Sequence, residues 1–440
     1  MTVAIAWLRS SFRLDDQPLL TEAAREGDEL LIVAERSAGP RAGPHRATFH
    51  AESLRALDLA LGSSGQRLYV LGDDPVHRIP GLATRLGAEA VYVNASPGTE
   101  ESRAIECLAR GLPDSCRLHV GRDNRLFDCV PLEPQDWPMS FSKFRRRIET
   151  GTRSGCPEDA PSSLPPAPSG AEWTARPEPV ARSGLFEGGE VAGRERLLDY
   201  VFERRHVLRY EQTRNGLLSA DDSSRFSPWL AHGCLSVRRV WSEIERFEAE
   251  VEANGSTRWL KLELLWREYF RWLIDATGSA LFRPAGLADA APDCAPDESR
   301  LQAWREGCTG VPLIDAAMRE LDATGYVSNR ARQNAASFLV KDLRQDWRAG
   351  AAWFERQLVD FDVASNWGNW AYQAGTGTDT RDRWFNVVGQ ARRYDREAAY
   401  LAHWLPELRA LEPAERFAPW RAALPPKDYP TPLIDDRRWP

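Results

Sequence analysis

Short apolar runs alternate with longer, polar-interrupted stretches through the first 130 residues. The runs VAIAWL (3–8), ELLIVA (29–34), RLYVLG (67–72), AVYVN (90–94) and RLHV (117–120) have the length and composition of strands. Amphipathic stretches such as 47–61 lie between several of them. Strands alternating with helices predict a parallel α/β sheet, and near-continuous apolar strands predict one covered on both faces. From 151 to 190 the pattern dissolves into TRSGCPEDAPSSLPPAPSG and then ARPEPVARSG, too rich in Pro, Gly and Ser for a core element. From 191 onward strand patterns disappear. RLLDYVFERRHVLRY, VWSEIERFEAEVEA, WLKLELLWREYFRWLI, VPLIDAAMREL and QNAASFLVKDL all show helical periodicity. The expected organisation is an α/β domain (1–135), a linker or long loop (136–190) and a larger all-α domain (191–440), without internal repeats.

A chain of 440 residues can bury a large core. Its net charge of −7 argues against a generally sticky nucleic-acid binder, although a local basic face would still hold phosphates. Seven scattered cysteines without a CxxC pair fit a reducing compartment and carry no zinc signature. The seven histidines lack metal-ligand spacing, so no metal is expected. No signal-peptide pattern opens residues 1–10, and no run of 18 apolar residues is present. A cytoplasmic protein without membrane contact is expected.

Four segments of the helical half place unusual side chains together. In DDSSRFSPWLAHGCLS (221–236), Ser223, Ser224 and Ser227 precede Pro228 at a helix start, which suits either an anion such as pyrophosphate or an ordinary cap. In ELLWREYF (263–270), Glu263, Trp266, Arg267 and Phe270 share one helix face, as a ligand wall or as an internal ion pair with a packing Trp. In GYVSNRARQN (325–334), Asn329, Arg332 and Gln333 share a face. Arg332 needs a carboxylate, with Asp360 or Asp362 the candidates, and the two amides match a ring bearing carbonyl and imide groups. A solvated basic helix would read the same way. In DVASNWGNWAYQAGTGTD (362–379), a helix would set Asp362, Asn366 and Trp370 on one face. A Trp-rich packing seam leaves those amides unexplained.

The four segments in this order resemble the photolyase/cryptochrome flavoproteins, from WLRSSFRLDD (7–16) to DYPTPLIDD (428–436). FEGGE (186–190), YEQTRNGLL (210–218), FSPWLAHGCLS and SNWGNWAYQAG are most similar to DASH-type cryptochromes. The resemblance implies a Rossmann-like sheet domain followed by an all-α FAD-binding domain. It also implies a lyase that splits cyclobutane pyrimidine dimers by light-driven electron transfer, preferentially in single-stranded DNA. A signalling photoreceptor with the same flavin is the alternative.

By position, Tyr210, Ser223, Ser224, Arg225, Phe226 and Ser227 would hold the FAD phosphates and ribityl region, with Arg267 nearby. Arg332 would pair with Asp360, Asp362 would lie by the isoalloxazine and adenine, and Asn366 would face flavin N5. Glu263 would hydrogen-bond the dimer, Trp266 and Tyr372 would wall it, and Asn329 and Gln333 would floor it. Glu263 and Asn329 would also border the cofactor. Tyr372 and Gln333 stand where double-strand photolyases carry Trp and Met. Trp370 and Trp347 match the first two members of the family's electron-transfer chain. The third place is taken by Cys294, which leaves Trp304 or Trp353 as substitutes. Arg330, Lys341, Arg344, Arg392 and Arg393 would meet DNA phosphates. Relatives hold an antenna, commonly methenyltetrahydrofolate. Ser96 and Pro97 stand about where the pterin-binding Glu is expected, so a folate, another chromophore or none remain open. A monomer is expected.

Overall fold

Five parallel strands with uninterrupted apolar cores build the first domain of the computed structural model. The structure describes every residue except 73, 171–183, 380, 382, 436, 438 and 440. The strands are β1 (Val3–Leu8), β2 (Glu29–Glu35), β3 (Leu68–Leu71), β4 (Ala90–Asn94) and β5 (Arg117–Gly121), in the order β3-β2-β1-β4-β5. Helices α1 (Pro18–Glu26), α2 (Pro44–Ser63), α3 (Pro75–Leu86) and α4 (Thr99–Gly111) make the crossovers. Alternation decides which core each strand residue joins. Ile5, Trp7, Leu31, Val33, Val91 and Val93 pack with α3 and α4 in one cluster. Ala4, Ala6, Leu8, Leu30 and Ile32 face the other way, into a cluster continuous with the helical half. The sheet is thus covered on both faces, as the apolar strands predict.

The span 136–190 is not all loop. Helix α5 (Phe141–Gly151) lies within it and buries Phe141, Phe144 and Ile148 at i, i+3 and i+7. The following segment crosses the first domain, with Asp16 N–H donating to Glu158 O and Leu30 N–H to Pro166 O, both at 2.9 Å. Most of the ARPEPVARSG stretch lies outside the described residues.

The helical half comprises α6 (Glu190–Leu198), α7 (Tyr210–Thr213), α8 (Ser227–His232), α9 (Val237–Glu250), α10 (Gly255–Thr277), α11 (Glu298–Glu306), α12 (Pro312–Thr324), α13 (Asn329–Ser337), α14 (Trp347–Gln357), α15 (Val363–Ala374), α16 (Val387–Tyr394) and α17 (Ala399–Trp404). A buried polar clamp fixes α8 and α9 against the loop after β1. Arg13 donates to Gly233 O (3.0 Å) and Asp123 (2.6 Å), while Arg238 and Arg239 pair with Asp16 and Asp15, each at 2.6 Å. Gly233 has φ of +64°, and a Cβ there would lie 1.9 Å from Ser10 O, so only glycine permits this approach. The clamp sets the position of residues 223–232, one wall of the site described next.

Candidate functional site

Helices α7, α8, α10, α13 and α15, with the loops beside them, converge on a cleft of about 1650 Å³, counting its open mouth. Helix α10 supplies the longest wall. Asn254 and Thr257 close its first turn as a capping box, and Leu260, Leu264 and Ile274 bury one side. Leu260 and Leu264 border the cleft, beside a stripe of Glu263, Trp266, Arg267 and Phe270 that also faces it. Helix α13, capped by Ser328, contributes Asn329, Arg332 and Gln333. Asp362 caps α15 by accepting Ser365 N–H (2.8 Å), and Asn366 and Trp370 follow at one-turn spacing in an adjoining pocket that shares Asn329, Arg332, Asp360 and Asp362 with the cleft. Tyr210, Ser223, Ser224, Arg225, Phe226 and Ser227 close the remaining side.

The ion pairs are specific. Arg332 binds Asp360 through two bonds of 3.1 and 2.9 Å, and Ser227 Oγ donates to the same carboxylate at 2.6 Å. Burial works against the Arg332 charge, but Asp360 outweighs it and raises the guanidinium's pKa. Asp362 pairs instead with Arg271 (2.7 Å). Burial pushes its pKa up, yet Arg271 and Arg267 hold the carboxyl below its ordinary value. Arg267 makes its hydrogen bonds to two backbone carbonyls, Asn124 O (2.9 Å) and Leu230 O (3.4 Å). Burial, with Arg271 close by, lowers its pKa to about 10, so it stays a cation at neutral pH. Glu263 accepts from Arg214 Nη1 (2.6 Å) and Trp259 Nε1 (3.1 Å), while burial raises its pKa.

Aromatic rings form the mouth. Trp266 stacks on Phe141 with centroids 3.7 Å apart and meets Tyr372 edge-on at 5.4 Å. The Arg383 guanidinium lies 3.7 Å from the Tyr372 ring centroid. Asn366 Nδ2 donates to Ala351 O (3.0 Å), and the residue lines the adjoining pocket with Trp370.

The tryptophans divide differently. Trp370 lines the adjoining pocket and meets the fully buried Trp304 at 6.1 Å. Trp347 is buried outside the cleft, with its indole N–H on Pro284 O. Trp353 is half-buried beneath Arg305, and Cys294 is exposed. The basic residues also separate. Arg330 and Arg393 lie over the Tyr394 ring at 4.9 and 5.3 Å, with exposed Arg392 beside them. Arg344 pairs with Asp293, and Lys341 is half-buried just after α13.

Sequence reasoning missed Arg214, Arg271 and Arg383, the partners of Glu263, Asp362 and Tyr372. Arg271 was within reach, because it continues the 263, 267 stripe by one turn. Arg214 comes from a distant segment, and Arg383 from the loop after α15. A second cavity lies between the domains, where Ser96 and Pro97 join Trp7, Glu35, Arg46 and Glu101.

Two family models match the chain: "DNA photolyase" over residues 4–167 and "FAD binding domain of DNA photolyase" over 259–438. The protein named Cryptochrome DASH of Natronomonas pharaonis is 41% identical, covering 99% of this chain and 98% of its own. The crystal structure of a Synechocystis cryptochrome superposes with a TM-score of 0.93 at 38% identity, covering 100% of this chain and 97% of its own. A bacterial class III photolyase from Agrobacterium tumefaciens gives 0.85 at 28% identity, covering 100% and 95%.

Proposed function

The chain belongs to the photolyase/cryptochrome family, among the DASH cryptochromes, and from that premise we propose that it splits cyclobutane pyrimidine dimers in single-stranded DNA under light. FAD is its cofactor. The cleft suits that group, because five arginines and three carboxylates line it, an excess of cations matched by a diphosphate. Arg267, half-buried and bonded only to carbonyls by its own hydrogen bonds, would face that anion, with Arg225 and the Ser223 and Ser224 hydroxyls. The Ser227 hydroxyl instead braces Asp360. Asn366 would accept a hydrogen bond on Oδ1 from a protonated ring nitrogen. When bound and reduced, FAD supplies the light-driven electron that opens the dimer.

The observation that carries the proposal is the mouth. Glu263, Trp266, Asn329, Gln333 and Tyr372 line the cleft together. The rings would sandwich the dimer and exclude water, while Glu263 and the amides would bond its carbonyl and imide groups. Arg214 keeps Glu263 in place, and the Arg330, Arg392 and Arg393 patch would meet the strand's phosphates.

Stacking on an aromatic ring is worth roughly 1–3 kcal/mol, and flipping a base from a duplex costs a few kcal/mol. The smaller ring of Tyr372 offsets less of that cost than an indole would. Single strands avoid most of it. The monomeric protein would therefore act on dimers in single strands or loops, in a reducing compartment that suits its seven free cysteines, such as the cytoplasm.

The test compares repair of a dimer in single-stranded and duplex oligonucleotides, in light and dark. Fast light-dependent repair of the single strand is expected, with weak repair of the duplex. Equal repair of both refutes the preference. Binding of both without light-dependent repair makes the protein a photoreceptor.

A further inference from the structure

Trp370 lies against the backbone of α14, where a Cβ on Gly350 would fall 2.3 Å from its ring edge. Trp347 stands one turn earlier on that helix. Trp347 meets another indole, Trp367, edge-to-face with centroids 5.8 Å apart and planes at 77°. Trp347 is 1% exposed and Trp304 is fully buried, so neither offers an edge to a donor in solution. Trp367 is half-buried, and its Nε1–H donates to Glu355 Oε2 at 3.1 Å.

We propose that Trp367 is the solvent-side end of the electron path Trp370–Trp347–Trp367, filling the place that Cys294 leaves vacant. This rests on the light-driven reading above. Two observations select Trp367 over Trp353, the other half-buried candidate. The Arg305 guanidinium sits 5.5 Å from the Trp353 ring centroid, and a cation over the π face makes electron removal harder. A carboxylate on the indole N–H of Trp367 does the reverse, because negative charge stabilises the cation formed.

One electron leaves Trp370 for the photoexcited oxidised flavin, Trp347 refills Trp370, and Trp367 refills Trp347. The Trp367 radical cation passes its Nε1 proton to Glu355 Oε2 and becomes a neutral radical. An external thiol then returns one electron, becomes a thiyl radical and releases its proton to water. Glu355 gives its proton back to Nε1.

The test uses FAD-loaded protein and its Trp367→Phe, Trp353→Phe, Trp370→Phe and Glu355→Gln variants at equal flavin content, illuminated with dithiothreitol. Trp367→Phe should slow photoreduction about tenfold or more, and Trp353→Phe should leave it unchanged. In Glu355→Gln, transient absorption should show a longer-lived protonated tryptophan radical. Illumination in air without thiol, followed by peptide mass mapping, should place oxidised tryptophan at 367. Parental photoreduction by Trp367→Phe, or oxidation mapped to Trp353, overturns the proposal. If Trp370→Phe also photoreduces at the parental rate, the light-driven path itself falls, and not only its end.

Discussion

Replacing Asp360 by Asn removes the charge from a buried node that joins three elements of the cleft. The carboxylate accepts two bonds from Arg332 on α13 and one from Ser227 on α8, just before α15 begins. Its side chain is 2% exposed and that of Arg332 22%, so solvent screens the pair little. An amide accepts only on its oxygen, and its NH2 would face one of the three donors. Removing one partner of a buried pair costs about 3–5 kcal/mol, because the other charge stays buried. In a helical domain of roughly 250 residues, 1 kcal/mol moves Tm by about 2 °C, so a fall of about 6–10 °C is expected. Circular dichroism melts of the FAD-free protein measure this without the cofactor's own contribution, and FAD release on heating follows separately. The double variant Arg332→Met, Asp360→Leu removes both charges and should recover part of the loss, giving a clear coupling energy. A Tm for Asp360→Asn within about 1 °C of the parent would refute the assignment of this node as the structural tie of the site.

Gly368 lies against Phe270, and a Cβ there would sit 2.3 Å from the ring Cδ1. Gly368→Ala should therefore lower Tm, since overpacking of about 1–3 kcal/mol outweighs a helix-propensity gain near ~1 kcal/mol. A raised Tm would show that α10 and α15 are not held at this separation. Burial lifts the Glu320 carboxyl from 4.5 to about 7, against a 2.6 Å hydrogen bond from Tyr400 Oη. The folded chain then binds the proton more tightly than the unfolded one. This contribution is fully present below pH 4.5 and lost as pH rises through 7, on the order of 3 kcal/mol. Glu320→Gln should flatten the slope of Tm against pH in that window, and an unchanged slope would exclude Glu320 as its source.

The near-continuous apolar runs at 3–8 and 90–94 and the three- and four-residue steps along 263–270 and 362–370 are local patterns, so the sequence alone determined the strands, the helix faces and the residues that share each face. These patterns are local because the backbone repeat fixes side-chain direction whatever the rest of the chain does. The motifs also carried the family and its flavin. Helix α5 was not legible beyond its Pro/Gly-rich neighbour, since Phe141 and Phe144 acquire meaning only from the Trp266 and Tyr269 rings they pack on. Tertiary structure decided that Arg332 takes Asp360 while Asp362 goes to Arg271, a choice between carboxylates two residues apart. It also turned the Ser227 hydroxyl towards Asp360, brought Arg214 to Glu263 and Arg383 to Tyr372, and set Trp367 against Trp347. Each of these pairings joins separate segments of the chain or picks between near-equivalent partners. Only the packing of the helices fixes which charges and rings come within a few ångströms, the range over which their interaction is strong.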